Sequence, residues 1–134
     1  MLWKFESMKG TTEALRKSAD AATLLVTRFD DACGIGYLGE YSTGDTLSAL
    51  AKSCAVGYYT FGHELGHNFG CDHDEDVRMR NIFFLNFIAS IFQTNSNPLY
   101  PYGHGHLIEG GRHTILAYPS FGHYSKVNYY SNPR

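Results

Sequence analysis

The residues whose chemistry is easiest to interpret lie in one short stretch, HELGHNFGCDHD, at positions 63–74. His63 and His67 are four residues apart, so on a helix their rings lie on the same face and can reach one metal ion. Glu64 directly follows the first histidine and can act on a water at that metal without binding the ion itself. The stretch therefore predicts a metal centre with Glu64 as its catalytic base.

A third histidine follows at a spacing that suits the same site. Gly70 allows the backbone to leave the helix abruptly through a left-handed conformation, and the turn brings His73 round as a third ligand. Three nitrogens leave a fourth position open, which distinguishes a catalytic zinc site from a closed structural one. We predict one catalytic Zn²⁺, although copper, iron or nickel also bind imidazole ligands. The alternative, a helix with two surface histidines, leaves the fixed offsets of this glycine and third histidine unexplained.

The other four histidines carry a weaker signal. His104 and His106 flank a glycine and offer a second candidate metal site. Solvated loop histidines are far commoner than ligands, so we favour that interpretation. His113 and His123 have no ligand-like partner at a recognisable spacing.

The elements that must position the site are short. Helix formers behind a Thr-Thr-Glu start predict a helix over 11–20, and an apolar run with β-branched residues predicts a buried strand over 23–29. The glycine-rich segment 33–41 permits close approach of another backbone. A polar turn then leads to a short amphipathic stretch at 46–52, and the active-site helix is predicted over 56–69.

Length and composition favour one domain. A chain of 134 residues supports a single modest core. Beyond Gly70 the sequence is rich in Gly, Pro, Asn, Tyr and His and has few regular periodicities. We therefore predict a single catalytic domain over 1–134, with an upper subdomain at 1–70 and a lower, mostly irregular subdomain at 71–134.

Charge and hydropathy exclude several partners. A formal net charge of −2 gives no electrostatic reason to expect nucleic acid or an anionic membrane surface. No apolar run is long enough to span a bilayer. The first residues, MLWKFESMKG, also lack the continuous apolar segment of a signal peptide.

The three cysteines are Cys33, Cys54 and Cys71. An odd count suits either a reduced protein or a secreted one whose last partner lies outside this chain. Three small buried hydrophobic side chains are a further interpretation. All three single disulfide pairings stay open at this point.

The stretch at 63–74 resembles the zinc-binding signature of the metzincin peptidases, and its surroundings look like the reprolysin-like (adamalysin-type) family. LLVTRFDDACGIGYLG at 24–39 is similar to the family's strand pair before the active-site helix, and SCAVGYYTFGHELGHNFG at 53–70 to that helix with its approach. Segments 97–120 and 127–133 are similar to the chain running into and past the family's Met-turn.

This resemblance implies a zinc-dependent metalloendopeptidase with a metzincin fold of α+β or α/β class. The fold would be a partial twisted sheet with helices above an irregular C-terminal subdomain. A protein or peptide substrate would lie extended along an edge strand near 33–39, where main-chain bonds supply affinity. Gly34 and Gly36 suit that close approach, with a bulge or turn as the alternative. Secretion is expected from the family alone.

The resemblance also assigns roles around the ligands. A zinc-activated water attacks the scissile carbonyl while Glu64 takes its proton and later returns it to the leaving amine. Tyr118 is either a hydrogen-bond donor to the oxyanion, as a tyrosine at a similar spacing is in astacins, or a packing residue, and we favour packing. Asp74 is expected to have a structural role.

The sequence departs from the family in three places, of which the first two concern the Met-turn and the N-terminal part of the chain. Leu116 stands in the Met-turn region, 114–118, where the family has a methionine packed beneath the zinc. Leucine is apolar and of similar volume, so this exchange should cost less than about 1.5 kcal/mol. The family's earlier strands and helix also have no counterpart before 11–20, so we expect an incomplete sheet and a chain that is a fragment.

The third departure is the segment 77–93, which is apolar where the family has a polar loop. An amphipathic or buried helix is one interpretation. Our hypothesis is a translated intron, because Val77-Arg78 can be encoded by GT-led codons and Phe92-Gln93 can end in a pyrimidine-rich run closed by CAG. Sequencing the mature transcript tests this, since codons that persist there contradict it.

The main functional alternative is a non-catalytic zinc-binding fragment or pseudoenzyme, in which the truncated sheet and the insert abolish the cleft. The intact Glu64 argues against it, and the missing strands argue for it. A purely structural zinc domain would leave the open metal position and Glu64 without a purpose. The sequence indicates neither the cleavage preference nor the oligomeric state.

Overall fold

A computed structural model describes residues 19–29, 32–39, 46–74, 100–118 and 125–130. The apolar insert at 77–93 lies outside the described residues, as does nearly all of the helix expected over 11–20. The described part of the chain contains one helix and two small sheets of mixed strand direction, which is an α+β arrangement.

The first sheet has three strands: β1 (Ala22–Val26), β2 (Gly34–Gly36) and β3 (Leu47–Ala51). The spatial order is β1-β3-β2, with β3 parallel to β1 and antiparallel to β2. The expected strand pair over 24–39 is therefore not a directly bonded pair, because β3 lies between its two members. Strand β2 lies at one end of this order, which agrees with the edge position expected near 33–39.

Strand β3 corrects the amphipathic stretch expected at 46–52. All five of its residues are buried, and helix α1 (Thr60–Asn68) packs against it. A central strand covered on both faces does not alternate between apolar and polar residues, so its sequence lacks the period of two that marks an edge or half-buried strand. The buried hydroxyl of Ser48 is satisfied by a hydrogen bond with the hydroxyl of Thr23, with 2.8 Å between the two oxygens.

Helix α1 begins four residues later than the predicted start at 56. The preceding residues form turns, and the residue just before the helix, Tyr59, has a left-handed backbone with φ of 56°. The C-terminus agrees with the prediction, because Gly70 has φ of 86°. The Cys71 N–H bonds to the Gly66 carbonyl and the Gly70 N–H to the His67 carbonyl, which is the Schellman pattern of helix ends.

A disulfide between Cys33 and Cys54 settles which cysteines pair. It joins the residue before β2 to the turn that follows β3, so it ties the edge strand to the approach of helix α1. Cys71 is a free, half-buried thiol. Disulfides persist in oxidising compartments and are rare in reducing ones.

The lower part of the chain contains a second sheet that the sequence did not indicate. Its strands, in the order β4-β5-β6, are β4 (Leu107–Ile108), β5 (Arg112–His113) and β6 (Ser125–Lys126). Strands of two residues are too short to show any hydrophobic period. The residues that follow β5 supply the apolar core of this lower part, where Ile115, Leu116 and Ala117 are almost fully buried.

Close packing in this lower part depends on one glycine. A Cβ atom at Gly105 would lie 2.5 Å from the backbone N of Ala117 and the backbone carbon of Leu116. The loop before β4 can therefore lie against the Met-turn region only because position 105 has no side chain. Among the described residues, no helix is long and apolar enough to cross a membrane.

Candidate metal centre

Helix α1 and the turn after it bring the three predicted histidines together. The Nε2 atoms of His63, His67 and His73 lie 3.1 to 3.2 Å from one another. Nitrogens that each bind a tetrahedral zinc ion at about 2.0–2.1 Å are separated by about 3.3 Å, so the three ring nitrogens fit a common ion. His63 and His67 project from the helix, and the bend at Gly70 delivers His73.

The outer ring nitrogens explain why the inner ones need a cation. His63 Nδ1 lies 3.1 Å from the Ile115 carbonyl oxygen, and His67 Nδ1 lies 2.8 Å from the Cys71 carbonyl oxygen. A carbonyl only accepts, so each Nδ1 carries the proton and each Nε2 presents a lone pair. Two lone pairs 3.2 Å apart cannot bond to each other, and a metal ion between them removes the conflict.

The protonation states favour the same conclusion. Burial, followed by the neighbouring His67, lowers the pKa of His63 to about 3. Burial, again followed by His67, lowers the pKa of His73 to about 4, and burial also lowers that of His67. The three imidazoles are thus neutral at physiological pH, which is the form that binds metals.

Glu64 is buried beside this cluster and faces strand β2. A Cβ atom at Gly34 would lie 2.6 Å from Glu64 Oε1, and one at Gly36 would lie 2.7 Å from the Glu64 carbonyl oxygen. The two glycines therefore allow the close approach of helix α1 to strand β2. Burial raises the pKa of the Glu64 carboxyl to about 8.

The Met-turn region packs beneath the helix. Leu116 is fully buried, and its Cδ1 would lie 3.1 Å from a Cβ atom placed at Gly66, between the two helical ligands. Its neighbour Ile115 supplies the carbonyl that orients His63. Asp74 accepts a hydrogen bond from the backbone N–H of Tyr118 at 2.6 Å, which joins the end of the ligand segment to the end of the Met-turn region.

Tyr118 directs its hydroxyl into the histidine cluster. The hydroxyl oxygen lies 3.2 Å from His63 Nε2, and the ring centroid lies 5.1 Å from that of His73. Burial, with smaller contributions from the charges of Glu64 and Asp74, raises the pKa of Tyr118 to about 12. The phenol is therefore protonated at neutral pH and can donate a hydrogen bond.

A cleft of about 550 Å³ opens beside the histidines, with β2 on one side and the start of α1 on another. It is lined by all three histidines, Glu64 and Tyr118, so these predicted site residues share one space. The sequence analysis missed Lys126 of β6, which also lines the cleft. No short-range pattern marks this lysine, because the lower sheet alone brings it to the site.

The other histidines stay apart from this site. His104 Nδ1 bonds to the carbonyl of Gly105, and His113 Nδ1 bonds to that of Thr114. Within the described ranges, the triad is the only group of histidine, cysteine and carboxylate residues arranged to hold a metal. The interpretation of His104 and His106 as loop histidines thus agrees with the geometry, and His123 lies outside the described residues.

Comparison with known proteins places the chain among peptidases. Residues 2–131 match the family described as Metallo-peptidase family M12. A peptidyl-Asp metalloendopeptidase of Stenotrophomonas maltophilia (strain R551-3) is 36% identical over 121 residues, covering 87% of this chain and 25% of that protein. A protein of the same name from Pseudomonas aeruginosa is 31% identical, covering 76% of this chain and 18% of that protein. Another from Pseudomonas fragi is 35% identical, covering 62% of this chain and 47% of that protein.

The chain therefore spans about a quarter of the length of the Stenotrophomonas relative. No solved structure matches it significantly. The family match covers nearly the whole chain, including the three histidines, Glu64 and the Met-turn region. On these grounds, the chain belongs to metallo-peptidase family M12.

Proposed function

We propose that this chain carries the catalytic centre of a zinc-dependent metalloendopeptidase of metzincin type. The observation that carries the proposal is the triangle of Nε2 atoms at 3.1 to 3.2 Å, with two rings held in the tautomer that leaves lone pairs facing inward. Glu64, on the same helix and in the same cleft, is the proposed general base. We keep as part of the proposal a single catalytic domain over 1–134.

His63, His67 and His73 would hold the zinc ion. A zinc ion held there would act as a Lewis acid, lowering the pKa of a bound water and polarising the substrate carbonyl. The chain's own contribution is to keep the three imidazoles neutral, through burial, and oriented, through the carbonyls of Ile115 and Cys71. Two further residues would support the site. Leu116 would do so by packing beneath helix α1, and Gly70 by allowing the bend that delivers His73.

Glu64 would move the proton. As water attacks the scissile carbonyl carbon, the Glu64 carboxylate takes one water proton, and the same proton passes to the amine nitrogen as the C–N bond breaks. Burial raises the pKa of this carboxyl, whereas the charge of a bound zinc ion would favour the carboxylate, which is the form that takes the water proton. Strand β2 limits where this carboxylate can lie.

Tyr118 has two proposed roles. Its protonated hydroxyl, 3.2 Å from His63 Nε2, can donate to the charge that develops on the scissile carbonyl oxygen. Its ring can alternatively act only by packing against His63 and His73, with centroids 5.5 and 5.1 Å away. Asp74 would position this residue in either case, through the bond to its backbone N–H.

The proposed substrate is a peptide lying extended along β2. One edge of β2 is bonded to β3, so the peptide would pair with the opposite edge. The relatives are named peptidyl-Asp metalloendopeptidases, so we propose peptides with Asp at the cleavage site as substrates. We also propose an extracellular location, which the Cys33–Cys54 disulfide supports because such bonds persist in oxidising compartments.

Metal removal tests the function as a whole. We expect the purified chain to contain about one zinc per molecule and to hydrolyse Asp-containing fluorogenic peptides. Dialysis against a chelator should abolish hydrolysis, and added Zn²⁺ should restore it. Zinc in the protein without chelator-sensitive hydrolysis would favour the alternative of a non-catalytic zinc-binding fragment.

Gly34→Ala tests whether the contact between β2 and Glu64 matters for the reaction. The added methyl group would lie 2.6 Å from Oε1, so the carboxylate must move. Because small displacements of a catalytic group are costly, kcat/KM should fall by roughly 10- to 100-fold while zinc content is unchanged. Gly57→Ala is the matched control, since a Cβ there meets no atom within 4 Å. Equal activity of both variants would contradict this role.

A further inference from the structure

Lys126 lines the active-site cleft and has no part in the mechanism described above. It is the only lysine or arginine among the described residues that line this cleft. Its Nζ atom lies 6.0 Å from the ring centroid of Tyr118 and donates a hydrogen bond to the Tyr58 carbonyl at 3.3 Å. The ammonium is thus separated from the metal site by a single aromatic ring.

The backbone of Lys126 is held in place by the lower sheet. Strand β6 pairs with β5, so that Lys126 lies opposite His113. The N–H groups on either side of it are bonded, Ser125 to the Gly111 carbonyl at 2.9 Å and Val127 to the His113 carbonyl at 2.8 Å. A side chain that leaves a bonded strand can select a ligand more sharply than one on an unsupported loop.

Within the described part of the chain, the Lys126 ammonium bonds to a carbonyl and forms no ion pair with a carboxylate. Burial lowers the pKa of the Lys126 ammonium, which indicates partial desolvation. Burial and the histidine neighbours lower the pKa of His63 most, but Lys126 contributes too, so the ammonium lies within electrostatic range of the metal site. A partly desolvated cation beside a cleft is stabilised by an anionic ligand.

We propose that Lys126 is the specificity residue of this peptidase and binds the side-chain carboxylate of the substrate residue that flanks the scissile bond. This inference rests on the function proposed above. An extended peptide advances at most about 3.3–3.6 Å per residue, so a carboxylate near Lys126 belongs to a residue close to the bond over the histidines. The ligand class is therefore an acidic side chain, with Asp as the first candidate.

A purely structural role makes a different prediction. The bond from Lys126 to the Tyr58 carbonyl would then only hold the turn before helix α1. Loss of that bond would lower activity on every substrate by a similar factor. Recognition of a carboxylate instead makes the effect depend on the charge of the substrate, and this dependence separates the two roles.

The test begins with a fluorogenic peptide that contains a single Asp, and mass spectrometry identifies the bond that is cleaved. Matched peptides then carry Asn or Lys in place of that Asp. For the wild-type chain, we expect kcat/KM for the Asp peptide to exceed that for the isosteric Asn peptide by roughly ten- to hundredfold. In Lys126→Met, this ratio should fall to about one.

Charge reversal and a surface control make the test specific. Lys126→Glu should prefer the Lys peptide over the Asp peptide, a reversal that loss of a structural bond does not produce. Lys52→Met removes an exposed lysine at the end of β3, outside the cleft lining, and should keep the wild-type ratio. Fluorescence anisotropy in a Glu64→Gln background should give the same ranking of the peptides as equilibrium binding, without turnover.

Each outcome separates the two proposals. A wild-type chain that cleaves the Asp and Asn peptides equally would overturn the role of Lys126 and leave the peptidase function standing. The same conclusion follows if Lys126→Met keeps the wild-type ratio. A zinc-loaded wild type that cleaves none of the peptides would overturn the peptidase function and this inference with it.

Discussion

Glu64→Gln is expected to lower kcat for peptide hydrolysis by roughly 10²- to 10⁴-fold, the contribution typical of a positioned acid–base group. Glutamine has nearly the same shape as glutamate, so it should fill the buried position against Gly34 and Gly36 without a clash. Its amide, however, cannot take the water proton or return it to the amine. Zinc content should be unchanged, because Glu64 is not one of the proposed ligands. Steady-state kinetics with zinc quantification checks both parts.

Glu109→Gln is the matched control for this variant, since Glu109 is exposed at the turn between β4 and β5. It makes the same chemical change outside the cleft and should leave kcat unaltered. Turnover by Glu64→Gln at the rate of this control would remove Glu64 from the mechanism. Loss of zinc along with turnover would instead indicate that Glu64 supports the metal site.

The second large effect is expected for His67→Ala. Removal of a ligand should weaken zinc binding by more than roughly 100-fold, because even the loss of a partner that merely orients a ligand costs about 10–100-fold. Alanine has the highest helix propensity, so helix α1 should persist. Competition with a chromophoric chelator gives the zinc affinity, and circular dichroism reports whether the helix is retained.

His104→Ala provides the comparison, because its ring bonds only to the neighbouring Gly105 carbonyl in the described structure and lies outside the triad. The zinc affinity of the His104→Ala variant should equal that of the wild-type chain. An unaltered affinity in His67→Ala would mean that the three ring nitrogens do not share one ion, and the proposed metal centre would be wrong.

The agreement between sequence and structure is greatest where the interactions are local. The four-residue spacing of His63 and His67 on a helix, and the left-handed bend at Gly70, follow from backbone geometry over one or two turns. The start of helix α1 was less predictable, since the turns before it carry one end of the Cys33–Cys54 disulfide and lead to the left-handed Tyr59. The helix therefore begins at Thr60, after the predicted position.

The structure differs from expectation where partners are distant in sequence. The stretch at 46–52 is a central strand because β1 and β2 come to either side of it, and nothing within the stretch shows this. The lower sheet is likewise made of two-residue strands that only pairing defines. The contact of the β2 glycines with helix α1 was likewise not indicated by the sequence, because it depends on how the helix packs on the sheet.

The order of residues along the chain was sufficient to predict that three histidines and Glu64 lie together, because a helical turn and one glycine bring those groups together, and to indicate the peptidase family. Only the tertiary structure decided which cysteines pair, that the Ile115 carbonyl sets the tautomer of His63, and that Lys126 enters the cleft. These contacts join residues that are far apart in the sequence, and the free energy that selects them comes from burial of the whole core.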